Sequence, residues 1–104
     1  METKVGTRVG AILEVNDDDV KFLGFGKYIG DFVPDEAVGF LATFFKETRK
    51  PCPKIELDSG KIVYGCECWW EEEGKVKKIL SNYDKVENVD IDRIRTDLIK
   101  KLLS

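Results

Sequence analysis

Histidine is absent from this chain of 104 residues, which removes the commonest general base and every Ser-His-Asp or Cys-His nucleophile arrangement. Cysteine is scarce and odd in number, with three in all, so reduced thiols are expected rather than a disulfide framework. A structural zinc site needs four ligands. Cys66 and Cys68, one residue apart on a predicted strand with both sulfurs on one face, and the isolated Cys52 supply only three. They read as buried small hydrophobes, and no metal or cofactor is expected. Positive charge is also lacking: a net charge of -3 argues against a duplex nucleic-acid binder, which needs a cationic stripe to displace counterions from phosphates. No apolar run approaches the length that crosses a bilayer, and the opening METKVGTRVG lacks the apolar core of a signal peptide. A cytoplasmic location without membrane association is therefore expected.

Distinctive catalytic groups are missing as well. Asp17, Asp18, Asp19, Glu71, Glu72, Glu73, Asp90 and Asp92 sit where turn and helix-start preferences already place acids. Ser59, Ser81 and Ser104 lie in a tight turn, near a helix end and at the terminus, with no activating partner in the pattern. The composition favours binding over catalysis.

What is present suffices for one domain spanning residues 1–104. Apolar residues make up 42% and charged residues 36%, enough to bury a modest core and keep a solvated surface. Apolar positions alternate over residues 5–15 (Val9, Ala11, Leu13, Val15), Asn16 to Asp19 supply a turn, and an extended pattern resumes over 20–32, which predicts a hairpin. Pro34, Asp35 and Glu36 read as a helix entrance. Val38, Leu41, Phe44 and Phe45 follow at helical spacing, and the helix ends by Lys50 before Pro51 and Pro53. Residues 54–57 and 61–68 around Asp58, Ser59 and Gly60 predict a second hairpin. Val76, Ile79, Leu80 and Tyr83 form the stripe of an amphipathic helix whose solvated face carries Lys75, Lys77 and Lys78. Residues 85–89 read as a short strand. Asp90 can cap a last helix lined by Ile91, Ile94, Leu98 and Leu102, with Arg93 and Arg95 off that stripe. The fold class is α+β: a small antiparallel sheet of two β-hairpins plus a short strand, packed with about three helices.

The most informative stretch is Gly65-Cys66-Glu67-Cys68-Trp69-Trp70. Adjacent strand residues face opposite ways, so the two indoles cannot share one role. One parity, Ile62, Tyr64, Cys66, Cys68 and Trp70, makes a core face, and the other, Val63, Gly65, Glu67 and Trp69, turns Trp69 outward. Trp69 is equally suited to rim a core or subunit contact and to meet a ligand. Together with Phe25, Tyr28 and Trp70 it offers flat rings for stacking on a nucleobase. Arg8, Arg93 and Arg95 offer guanidinium forks for phosphate oxygens, and the glycines of residues 24–30 mark either a coiled, strongly bent strand or a place where a ligand comes close to the backbone. The candidate ligand-binding set is Arg8, Phe25, Tyr28, Trp69, Trp70, Arg93 and Arg95.

The run Phe22-Leu23-Gly24-Phe25-Gly26-Lys27-Tyr28-Ile29-Gly30-Asp31, followed by the segment from Pro53 through Asp58-Ser59-Gly60 to Gly65-Cys66-Glu67-Cys68-Trp69-Trp70, resembles small proteins encoded by bacteriophages and prophages. Within these it looks like the first-described type of Thoeris anti-defence sponge protein. The likeness spans residue 5 to about residue 95. It departs over residues 36–50 and at Glu71, where a glycine commonly follows the tryptophans. The resemblance implies a small α+β protein that assembles as a homo-oligomer, a dimer or larger. It further implies sequestration, without cleavage, of cyclic ADP-ribose isomers made by bacterial TIR proteins, and in some members of the cyclic di- and trinucleotides of CBASS defence. The alternative expectation is a phage-encoded inhibitor that contacts a host protein through exposed carboxylates and aromatics. A weaker third is a nucleotide-cleaving enzyme that uses carboxylates.

Overall fold

A computed structural model describes residues 3–103; Ser104, considered above, lies outside them. In chain order the elements are β1 (Arg8–Val15), β2 (Asp19–Phe32), α1 (Phe40–Glu47), β3 (Cys52–Leu57), β4 (Ile62–Tyr64), β5 (Trp69–Glu72), α2 (Glu73–Leu80), β6 (Lys85–Asn88) and α3 (Ile91–Leu103). The α+β class follows the sequence reading. Five strands run antiparallel in the order β4-β3-β2-β1-β5, and β6 joins the beginning of β2 in parallel. The 14-residue β2 is long enough to serve two neighbours on one side, β6 along Asp19 to Phe22 and β3 along Gly26 to Phe32. The β1–β2 turn closes through the Asn16 N–H, which donates to the Asp19 carbonyl at 2.8 Å.

Alternation along the strands feeds two apolar layers, one on each side of the sheet. On one side Val9, Ala11, Leu23, Tyr28, Ile55, Leu57 and Val63 pack with Ile91 of α3. On the other, Ile12, Val20 and Phe22 pack with Val76 of α2. A third group, Ala37, Ala42, Cys52 and Tyr64, seats α1 against the β3–β4 edge. Two glycines make these approaches possible. A Cβ on Gly10 would stand 2.7 Å from Val76 Cγ1, so α2 rests directly on the β1 backbone there. A Cβ on Gly26 would stand 2.2 Å from the Glu56 carbonyl oxygen, where β3 crosses close to β2.

Three expectations are corrected. The first helix starts at Phe40, not at residues 34–36, because Gly39 at φ 129° interrupts the chain just before it. Residues 34–37 instead form a turn in which the Ala37 N–H donates to the Pro34 carbonyl. This helix buries Ala42 and leaves Phe40, Leu41 and Phe44 exposed, so the aromatic stripe faces outward.

The strand expected over residues 61–68 stops at Tyr64, and Trp69 begins a strand at the opposite edge of the sheet. Four spacings of about 4.8 Å would separate those edges in a flat sheet. Residues 65–68 contain turns and cannot cover that distance, so the sheet must coil. Irregularities between Ala11 and Ile12, between Ile12 and Glu14, and between Tyr28 and Gly30 supply the bending.

Cys66 and Cys68 consequently do not share a face, because the turns between β4 and β5 do not follow a period of two. Cys66 joins the group under α1, and Cys68 packs against the layer under α3.

The last helix forms as expected, with the Asp92 N–H donating to the Asp90 carboxylate at 3.0 Å. Leu102, near its end, is exposed. Among the described residues no helix is long and apolar enough to cross a membrane.

Candidate ligand-binding site

The strand pairing separates the two indoles as the parity argument requires. Trp70 lies opposite Ala11 and Trp69 opposite Ile12, so each ring inherits the side of its partner. Trp70 enters the layer under α3 and stacks on Tyr28, with ring centroids 5.4 Å apart and planes 6° from parallel. Tyr28 is 9% exposed, and its hydroxyl donates to Asp31 Oδ1 at 2.6 Å. Phe25 lies on the other side, edge-on to Phe22 at 4.8 Å and under the ammonium of Lys77 at 5.7 Å. These three rings stack on, or are covered by, their own chain. Trp69 remains 49% exposed.

The arginines divide in the same way. Arg8 projects from β1 between the β3–β4 turn and α2, donating to both oxygens of Asp58 at 2.6 and 2.7 Å and to Glu73 Oε2 at 2.9 and 3.2 Å. These carboxylates raise its pKa, Asp58 contributing most, and occupy its fork. Arg95 is paired more deeply: its Nε and Nη2 reach the two oxygens of Glu67 at 2.8 and 2.7 Å, and Nη2 also donates to the Ile62 carbonyl at 2.9 Å. Its side chain is 12% exposed and that of Glu67 only 4%. Removing either partner would strand a charge away from water. Arg95 therefore fastens α3 to the link between β4 and β5. Arg93, one turn into α3, is exposed and beside Lys21, Glu87 and Asp97.

The seven candidates thus do not converge within one chain. What the structure does gather is an apolar recess of about 440 Å³ beside Trp69, lined by Ile12, Leu13, Val15 and Ile79, with Glu14 at its polar side. Its position follows from strand lengths. The pairing of β5 with β1 covers Val9 to Ile12, so residues 13–15 continue past the end of their neighbour. Val15, the last of the alternating apolar positions of β1, is 52% exposed here. Backbone donors and acceptors on such an edge are open to a partner. Glu14 is drawn sideways to Lys21 at 3.3 Å. A flat, mostly apolar molecule with a few polar edge atoms fits this combination of ring, aliphatic wall and strand edge.

Sequence reasoning found Trp69 and missed the lining residues Ile12, Leu13, Val15 and Ile79. The two strands involved stand 57 positions apart, counting from Ile12 to Trp69, and no local pattern announces that they pair. Among the described residues no group of three or more Cys, Asp or Glu side chains is arranged to hold a metal ion. Comparisons with protein-family models, with curated proteins and with solved structures returned no match.

Proposed function

We propose that this protein is a non-catalytic sponge for cyclic nucleotide signals, acting in the cytoplasm of a phage-infected bacterium. Its ligands on this reading are cyclic ADP-ribose isomers, with cyclic di- and trinucleotides as further candidates. The observation that carries the proposal is the half-exposed ring of Trp69 beside an apolar recess and an uncovered strand edge. A base stacked on that ring gains about 1–3 kcal/mol, and the free edge of β1 can meet its polar rim. The resemblance of the glycine-aromatic strand and the Gly-Cys-Glu-Cys-Trp-Trp run to anti-defence sponges supports the same class.

The ligand's phosphates need cations, and among the described residues no Lys or Arg lines the recess. A second copy must then supply them, with Arg93 the candidate whose fork is not already held by a carboxylate. Self-association is supported by α1, where Phe40 is 94% exposed with Leu41 and Phe44 beside it, an apolar helix face of the kind that marks interfaces.

Calorimetry of the purified protein with cyclic ADP-ribose isomers and with cyclic dinucleotides tests the proposal. Trp69→Ala should weaken binding roughly 5- to 150-fold, the equivalent of about 1–3 kcal/mol, and heat denaturation of the complex should release the ligand intact. Absence of binding across the panel, or equal affinity in Trp69→Ala, overturns it. The exposed face of α1 also suits a second reading, inhibition of a host protein by direct contact. A chain that stays monomeric in native mass measurement and captures one host protein through Phe40 and Phe44 would favour that alternative.

A further inference from the structure

Cys52 and Cys66 flank the open end of the β3–β4 ladder. Lys54 faces Tyr64, Ile55 faces Val63 and Glu56 faces Ile62, so Cys52 and Cys66 each lie two residues beyond the last paired rung. The ladder does run on: the Gly65 N–H donates to the Pro53 carbonyl at 2.7 Å, and at the other end the Leu57 N–H donates to the Lys61 carbonyl at 2.8 Å. The Gly65–Pro53 hydrogen bond holds the segment that leaves β4 against the start of β3, next to Cys52. The two sulfurs are already in contact at 3.4 Å. Cys52 is buried and Cys66 is partly exposed, whereas Cys68 turns away and donates its S–H to the Tyr64 carbonyl at 3.4 Å.

We propose that Cys52 and Cys66 form a reversible cross-strand disulfide under oxidising conditions, with Cys66 as the attacking thiol and Cys52 as the resolving one. The oxidant is a low-molecular-weight disulfide such as oxidised glutathione. The Cys66 thiol loses its proton to solvent, and the thiolate attacks one glutathione sulfur, breaking the glutathione disulfide and releasing one glutathione thiolate. Cys52, deprotonated in turn, attacks the Cys66 sulfur of the mixed disulfide and expels the second glutathione. Two protein thiols become one disulfide while oxidised glutathione is reduced to two thiols.

Burial, and then the neighbouring Cys52, push the Cys66 thiol up to about 12. The thiolate is therefore scarce at neutral pH and the first step is slow. The pair stays reduced under a transient oxidant and closes under a sustained one. Once formed, the bond ties the start of β3 to the link that leads into Trp69, closing a loop of roughly 15 residues.

The test incubates the reduced full-length protein with oxidised glutathione, traps remaining thiols by alkylation and reads the intact mass and the linked peptides. The expected result is loss of two of the three alkylatable thiols in a chain of unchanged subunit size, with one peptide pair joining Cys52 to Cys66. Closure should quicken as pH is raised from 7 to 8, by close to tenfold if formation of the thiolate limits it. Cys68→Ser should leave this unchanged. Cys52→Ser should instead accumulate a stable glutathione adduct on Cys66, a readout independent of whether the cross-linked state is stable. Retention of all three thiols, a Cys66–Cys68 bond, or linkage only between chains overturns the proposal.

Discussion

The layer under α3 and the layer under α2 use the same kinds of residue to opposite ends. Under α3, Trp70 lies flat on Tyr28, and Arg95 is locked to Glu67 where α3 meets the β4–β5 link. Under α2, the neighbouring Trp69 pairs across from Ile12 and borders a recess beside the part of β1 that β5 does not reach. The two tryptophans are consecutive, so residue type cannot explain the difference. Strand register decides it: one step along β5 exchanges a packed wall for an open ring. Self-satisfaction of rings and forks on the α3 side is what makes that side a scaffold, and an unsatisfied ring on the α2 side is what makes it a candidate site.

The sharpest way to break this contrast is to truncate each tryptophan in turn. Trp70→Ala should cost about 3 kcal/mol, the low end for an aromatic-to-alanine change because the ring is only partly buried, and urea denaturation measures it. Trp69→Ala should cost less than about 1 kcal/mol in the same assay while carrying the binding defect. Equal losses would show that the two layers are equally closed.

Next in size is Gly10→Ala. The new methyl would meet Val76 Cγ1 at 2.7 Å, forcing α2 to shift at a cost of about 1–3 kcal/mol. Hydrogen exchange should then rise in α2 more than in α3, and uniform loosening would count against independent layers.

The smallest effect belongs to the surface clip of Arg8. Its guanidinium holds the Asp58 carboxyl below the ordinary value of 3.8. A lowered folded pKa means the pair stabilises above that value and the contribution is lost as pH falls through the folded pKa. Asp58→Asn should therefore be slightly less stable than the parent at neutral pH, with the gap closing as the pH drops below 3.8 and shrinking in high salt. A gap that persists unchanged in strong acid would mean the carboxylate charge is not its source.

Much of the fold was legible because it rests on local periodicity. The β1–β2 hairpin follows from alternation around Asn16 to Asp19, and α2 from Val76, Ile79 and Leu80. The start of α3 follows from the Asp90 cap. The errors fell where one local signal overruled another. Gly39 overrode the helix entrance at Pro34, and the turns after Tyr64 overrode what looked like unbroken alternation through Cys68. Arg95 reads as a solvated residue because it lies off the apolar stripe of α3, yet the approach of Glu67 makes it a buried clasp. Partners distant in the chain leave no mark on local composition, so neither that clasp nor the saturation of Arg8 was visible.

By itself, the sequence determined the class of fold, most of the elements and the opposed orientation of Trp69 and Trp70, because backbone periodicity and turn chemistry act over a few neighbouring residues. Only the tertiary structure decided that β4 and β5 sit at opposite edges, that Arg8 and Arg95 are consumed by carboxylates, and that Ile12, Val15 and Ile79 frame a recess beside Trp69. Those outcomes depend on which distant strands pair and where a neighbour ends. Coiling of the whole sheet settles both.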